Sequence, residues 1–243
     1  MSIMRSTTRV LMSVLVLGLA SSAHAADAEK LLDRMWAALV PRAHLHGRFA
    51  LEIDNGQGWR GKWGGRVERV GGAEPWIRLD VETPSDIRGI QLKVQRSRED
   101  LDEIRVFLPS VRRVRTIYGS MRGESFLGTD FNYEDLGFEQ LDARGHRIIG
   151  EDEVDGRPCY RVETIPAENW WYSRVVRCID REDYVPRRTE YFDDAGQLYK
   201  VRTFDQIRTI SGHPTPLRLR MDTVPAGTSS TITLSGVTYS DVP

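Results

Sequence analysis

A chain of 243 residues carrying 34 Lys and Arg against 35 Asp and Glu has a formal net charge of −1, which supplies no bulk attraction for a nucleic acid. Its 40% hydrophobic content is ordinary for a globular protein. Beyond residue 25 no apolar run reaches the length of a membrane-spanning helix.

At the N-terminus, Arg5 and Arg9 precede an apolar run at 10–19 broken only by Ser13 and Gly18, and Ala23-His24-Ala25 follows as a small-x-small pattern. Residues 1–25 are therefore expected to be a signal peptide cut before Ala26, with 26–243 a single exported domain in the periplasm. Leu31, Leu32, Met35, Trp36 and Leu39 recur at helical spacing between a capping Asp27 and the breaker Pro41. Everything after that reads mainly as strands. His44 and His46 share a strand face, but no third metal ligand is evident, and a surface pair is the simpler reading. Phe49, Leu51 and Ile53 alternate up to an Asn55-Gly56 turn; Ile77, Leu79 and Val81 alternate likewise, and both sets are expected to point inward. Gly56, Gly58 and Gly61 match the dinucleotide-binding spacing, yet a Trp-Gly strand follows them where a helix is required, so a hairpin turn explains them.

Ile104, Val106 and Leu108 alternate again, and 111–117 resumes an extended pattern. Residues 119–138 then break the rhythm with Gly, Ser, Asp and aromatics. Within them Ser125 begins like a nucleophile elbow but lacks the closing glycine. The acidic runs 99–103 and 151–155 each read as solvated turns. Strands at 157–165 and 172–180 form an expected hairpin with Cys159 opposite Cys178, Val162 opposite Val175 and Glu163 opposite Arg174. In an oxidising compartment the cysteines are expected to form a disulfide, two buried thiols being the alternative. A second hairpin turns at Asp194-Ala195-Gly196 and pairs Glu190 with Lys200 and Tyr191 with Tyr199. Strands at 201–210, 217–223 and 230–239 complete a mainly β, antiparallel series with one early helix. The many Trp and Phe side chains either fill an ordinary core or line a cavity under a curved sheet; periodicity leaves both open.

Phe107-Leu108-Pro109-Ser110-Val111-Arg112-Arg113-Val114-Arg115, then Gly119-Ser120, then Phe126-Leu127-Gly128-Thr129-Asp130-Phe131-Asn132-Tyr133-Glu134-Asp135-Leu136 resemble the outer-membrane lipoprotein-sorting family, the LolA-like periplasmic carriers often found beside RND-type (MMPL) lipid exporters. Asp86-Ile87-Arg88-Gly89, Val154-Asp155-Gly156-Arg157-Pro158-Cys159-Tyr160 and Tyr184-Val185-Pro186-Arg187-Arg188 follow in the family's order. The resemblance implies an incomplete, open antiparallel β-barrel with a helical or irregular lid, an apolar cavity, no cofactor, no metal and no catalysis. It also implies a short further segment after Ser240-Asp241-Val242-Pro243. The expected cargo is a lipid or lipidated protein, with transient membrane contact and an RND/MMPL-type exporter as partner; an adaptor that never holds lipid is the alternative. Phe49, Leu51, Ile53, Ile77, Leu79, Val81, Phe126 and Phe131 are the cavity candidates. Asp130 or Asp135 is expected to latch onto Arg113 or Arg115 and tie the middle segment across the mouth, unless that segment merely caps a sheet edge.

Overall fold

The computed structural model describes residues 27–96, 102–138, 143–167 and 170–242; the expected signal peptide and its cut before Ala26 lie outside them. A helix, α1 (residues 27–39), precedes thirteen strands joined in one antiparallel sheet. The first six are β1 (His44–Asp54), β2 (Arg60–Val70), β3 (Trp76–Thr83), β4 (Gln91–Gln95), β5 (Glu103–Leu108) and β6 (Arg113–Ile117). After the irregular segment come β7 (Ala143–Val154), β8 (Arg157–Pro166), β9 (Arg174–Asp180), β10 (Pro186–Phe192), β11 (Leu198–Ile210), β12 (His213–Thr223) and β13 (Thr228–Ser240).

Two meanders meet where β1 pairs with β13, so the spatial order runs from β6 down to β1 and then from β13 down to β7. The edges are β6 and β7, and among the described residues nothing joins them. The chain nonetheless passes from one edge to the other through residues 118–142. Laid flat at about 4.8 Å per strand, the edges would stand almost 60 Å apart, yet Val106 and Ile117 near one edge share a hydrophobic cluster with Val175 and Tyr191 near the other. The sheet is therefore curled but unclosed. Charge protects both edges from further pairing: Arg113 and Arg115 on β6, and Glu151, Asp152 and Glu153 on β7, which also carries a bulge at Ile149.

That last group corrects an expectation. Glu151 to Glu153 were expected in a turn, but they extend β7, with Asp155 and Gly156 forming the turn at positive φ. An edge strand tolerates them because one side meets water, while Arg181 and Arg188 pair with Glu151 and Asp152. The other acidic run lies partly outside the described residues; Asp102, within them, is buried. Strands β4 and β7 had no counterpart in the alternation of apolar residues.

Cys159 and Cys178 form a disulfide with Cα atoms 5.3 Å apart, closing a separation of 19 residues, a constraint worth about 3 kcal/mol. The hairpin register differs by two residues from the expected one: Cys159 faces Asp180 and Cys178 faces Arg161. A slip of two keeps every side chain on its face, so the cysteines still meet, diagonally. Glu163 likewise reaches Arg174 diagonally, at 3.6 Å. The slip brings Asp180 to Arg157, which forks onto it at 2.8 and 2.9 Å, while Arg187 adds contacts at 3.0 and 3.1 Å.

Burial alone would raise the Asp180 carboxyl. The Arg157 hydrogen bond, the Glu182 and Asp183 N–H groups and Arg187 outweigh it and hold the group well below the usual carboxylate range. The loop so fixed presents Tyr184 to Arg34 of α1, at 2.9 Å. Ala28, Leu32, Met35 and Leu39, one stripe of α1, pack on Val162, Ile179, Val185 and Phe204.

The β10–β11 register also departs from expectation. A bulge leaves Tyr199 unpaired, and Tyr191 faces Lys200. A one-residue shift exchanges faces, so Lys200 is inside the sheet instead of beside Glu190.

Candidate ligand cavity

Residues 119–138 form a plug in the curl of the sheet. Gly119 (φ 53°) opens a 3₁₀ turn, Gly119–Gly123, and a β-carbon at Gly123 would overlap the Trp171 indole. Leu127 and Gly128, both at positive φ, reverse the chain so that Ser125 bridges Asn132. Asn132 and Asp135 then cap each other: the Asp135 N–H donates to Asn132 Oδ1 at 2.7 Å and the Asn132 N–H to Asp135 Oδ2 at 2.9 Å. This reciprocal pair starts the second turn, Glu134–Leu136. The Ser125 hydroxyl donates to the Thr129 carbonyl at 2.6 Å, a structural use of that serine.

Apolar side chains set the plug against one part of the sheet. Phe126, Phe131 and Phe138 are at most 2% exposed, and Phe126 meets Trp63 of β2 edge-on, 6.5 Å between centroids. Polar groups fasten it to the other part. Asp130 accepts the hydroxyls of Thr223 at 2.6 Å, Thr228 at 2.5 Å and Ser230 at 2.7 Å, and its carbonyl accepts Lys200 Nζ at 2.6 Å. Lys200 also pairs with Asp135 at 3.3 Å, and Arg202 donates to the Asp135 carbonyl. Inside the plug, Arg122 donates to Glu134 at 2.7 Å with both side chains enclosed.

The expected latch is thus replaced. Arg113 and Arg115 lie exposed on edge strand β6, where Arg115 reaches the sulfur of Met121, and neither pairs with Asp130 or Asp135. The acids turn instead to β11–β13, whose hydroxyls and Lys200 offer partners away from water. Inward-facing Lys200 and Arg202 beside Phe204 were the available signal in the sequence.

Between plug, α1 and sheet lies a cavity of about 160 Å³. Of the sequence candidates, Phe49, Leu51, Ile77, Leu79, Phe126 and Phe131 line it. Ile53 and Val81 face the same core without reaching it. Trp36 and Leu39 of α1 and Val40 just after it close one side, and Phe204, Leu219, Ile232 and Leu234 complete an apolar wall from strands that alternation had not singled out for this role. The polar lining is small: Arg69, Asp135, Arg202 and Thr215. The rings of His44 and His46, tilted with centroids 3.8 Å apart, do not line this cavity, and among the described residues no three metal-ligating side chains cluster. Gly56 and Gly58 form the β1–β2 turn, in which Asn55 Oδ1 accepts the N–H groups of Gln57 and Trp59.

A family model described as "-like: Uncharacterized protein" matches residues 78–243. No curated protein matches the chain. Among solved structures, a DUF1329 family protein from Desulfovibrio piger superposes with a TM-score of 0.81 at 23% identity, over 89% of this chain and 93% of that one. A domain described as outer membrane lipoprotein-sorting, from Vibrio parahaemolyticus, gives 0.81 at 20% identity, over 88% and 93%. A LolA superfamily protein from Nitrosomonas europaea gives 0.69 at 17% identity, over 89% and 94%. The likeness is one of fold.

Proposed function

The chain belongs to the family whose model covers residues 78–243, and we propose that it is a periplasmic carrier that takes a lipid or lipidated protein into its apolar cavity and catalyses nothing. The observation that carries this reading is the lining itself: aromatic and aliphatic side chains from α1, the plug and both meanders converge on one space inside an unclosed sheet. Each methylene moved from water into that space contributes about 0.8 kcal/mol, enough to shield a chain and still allow its transfer. A volume of about 160 Å³ is below the 300–1,000 Å³ of ordinary ligand pockets, so a full acyl chain requires the plug or α1 to withdraw. The fold shared with the lipoprotein-sorting protein from Vibrio supports the same reading. Export with cleavage before Ala26, and delivery to or from an RND/MMPL-type exporter, belong to the proposal.

A second reading has its own observation. Phe126, Phe131 and Phe138 already occupy much of the interior, as they would in an adaptor that docks on an exporter without holding lipid. Native mass spectrometry of the protein taken directly from the cell envelope separates the two. A carrier shows a mass increment that chloroform–methanol extraction removes and identifies. A protein that arrives empty and takes up no added amphiphile is the adaptor.

A further inference from the structure

The inward stripe of β2 runs Gly61, Trp63, Gly65 and Val67, and its last member is Arg69. Arg69 lies opposite Leu45 on β1 and Ile77 on β3, both apolar wall residues, and Leu45 lies opposite Tyr239 on β13. The guanidinium has one side-chain partner, the Tyr239 hydroxyl, at 3.2 Å from Nη2. That hydroxyl is 3.0 Å from Thr215 Oγ1, a second polar group in the lining. Among the described residues no carboxylate pairs with Arg69, and the acid of the cavity, Asp135, is engaged by Lys200. Arg69 is half-buried, and that burial pushes the guanidinium pKa down, with the Tyr239 contact only partly offsetting it.

A guanidinium offers five N–H donors, and one hydroxyl leaves most of them unused. A charge set in an apolar wall without a counter-ion is costly, and a cavity meant only for hydrocarbon has no use for it. An anion entering with the ligand would supply both the missing charge and the missing acceptors. We propose that Arg69, with the Tyr239 and Thr215 hydroxyls beside it, is a head-group subsite that selects amphiphiles ending in a carboxylate or phosphate. The inference rests on the carrier reading and narrows its cargo to anionic amphiphiles. From Arg69 the hydrocarbon follows β1 past Leu45 and Phe49 to Leu51, a path of about 20 Å at the rise of a strand.

The test uses the full exported chain, stripped of bound lipid, and three probes of equal tail length: dodecanoate, dodecyl phosphate and dodecanol. Calorimetric titration is expected to show at least one of the two anions binding about tenfold or more tightly than the alcohol. The relative affinity of the two anions distinguishes a fatty-acid from a phosphate-headed source. In Arg69→Met the preference should fall to within about threefold, with Arg69→Lys keeping part of it and Tyr239→Phe losing a smaller share. A wild-type protein that binds dodecanol as well as both anions removes the subsite and leaves the carrier standing. So does a folded Arg69→Met variant that keeps the full preference. If circular dichroism shows Arg69→Met unfolded, the wild-type preference and the lysine variant decide. Failure of all three probes to bind overturns the carrier reading and the subsite together.

Discussion

The plug meets β1–β3 and β11–β13 by different physical means. Toward β1–β3 its contacts are carbon on carbon, with Phe126 edge-on to Trp63 and Phe131 in the same apolar wall as Phe49 and Leu79. Toward β11–β13 they are hydrogen bonds and an ion pair, through Asp130, Asp135, Lys200 and three hydroxyls. Hydrophobic contact is non-directional and survives sliding, whereas charge-assisted hydrogen bonds fail once distance and angle change. The difference teaches how the work is divided: hydrogen bonds to β11–β13 fix the register of the plug, and packing on β1–β3 supplies apolar contact.

The apolar side gives the largest expected effect. Phe131→Ala should cost about 3–5 kcal/mol of stability in urea unfolding, because the fully buried ring leaves a void in a wall that relaxes only partly. The same void enlarges the cavity, so amphiphile uptake should rise while stability falls. A cost under about 1 kcal/mol would mean that the plug does not pack as described.

On the polar side, Lys200→Met removes a cation from Asp135 and a donor from the Asp130 carbonyl and should cost about 3 kcal/mol. Adding Asp135→Asn should recover part of that loss, a coupling that a double-mutant cycle measures directly. Purely additive costs would show that the ion pair does not hold the plug.

The smallest effect sits one step farther away, at the Asp180 cluster that fixes the loop under α1. Asp180→Asn should cost about 1–2 kcal/mol at neutral pH. The folded-state pKa of Asp180 is depressed, so its contribution is complete above the unfolded value near 4 and is lost as pH falls toward the folded value. Wild type and variant should therefore differ by a constant amount from pH 7 to about pH 5 and converge only below about pH 4. Convergence already at pH 6 would assign the effect to another group.

Much of this architecture was legible in the residues. Alternation located β1, β3 and β5 and chose the inner faces of β1 and β3, since a half-buried strand must sort its side chains by parity. The cysteines were paired correctly although their hairpin register was not, because a slip of two leaves parity intact and a disulfide tolerates a diagonal. Lys200 was misplaced for the opposite reason: a single bulged residue, Tyr199, inverts the faces beyond it, and its one mark in the sequence is the parity that Lys200 and Arg202 share with Phe204. The plug was expected as an irregular lid whose acids, Asp130 or Asp135, latch onto Arg113 or Arg115, cations close by in the chain. What reverses that reading is remote in sequence, namely Thr223, Thr228, Ser230 and Lys200 on strands reached only after the chain has crossed the sheet. Arg69 closes a stripe of otherwise apolar and small residues at every second position of β2, a contrast that the amino-acid sequence itself carries.

Photolabelling with a dodecanoate that carries a diazirine near the end of its tail tests the carrier most directly. The purified chain is irradiated with the probe bound, and the modified residues are mapped by peptide mass spectrometry. Adducts are expected on the inner faces of both meanders, at Leu51, Leu79, Phe204 and Leu219, with more label after Phe131→Ala. Adducts confined to the exposed apolar residues Trp59, Val111, Val114 and Tyr118, with the cavity residues unlabelled, would contradict a ligand held inside the sheet.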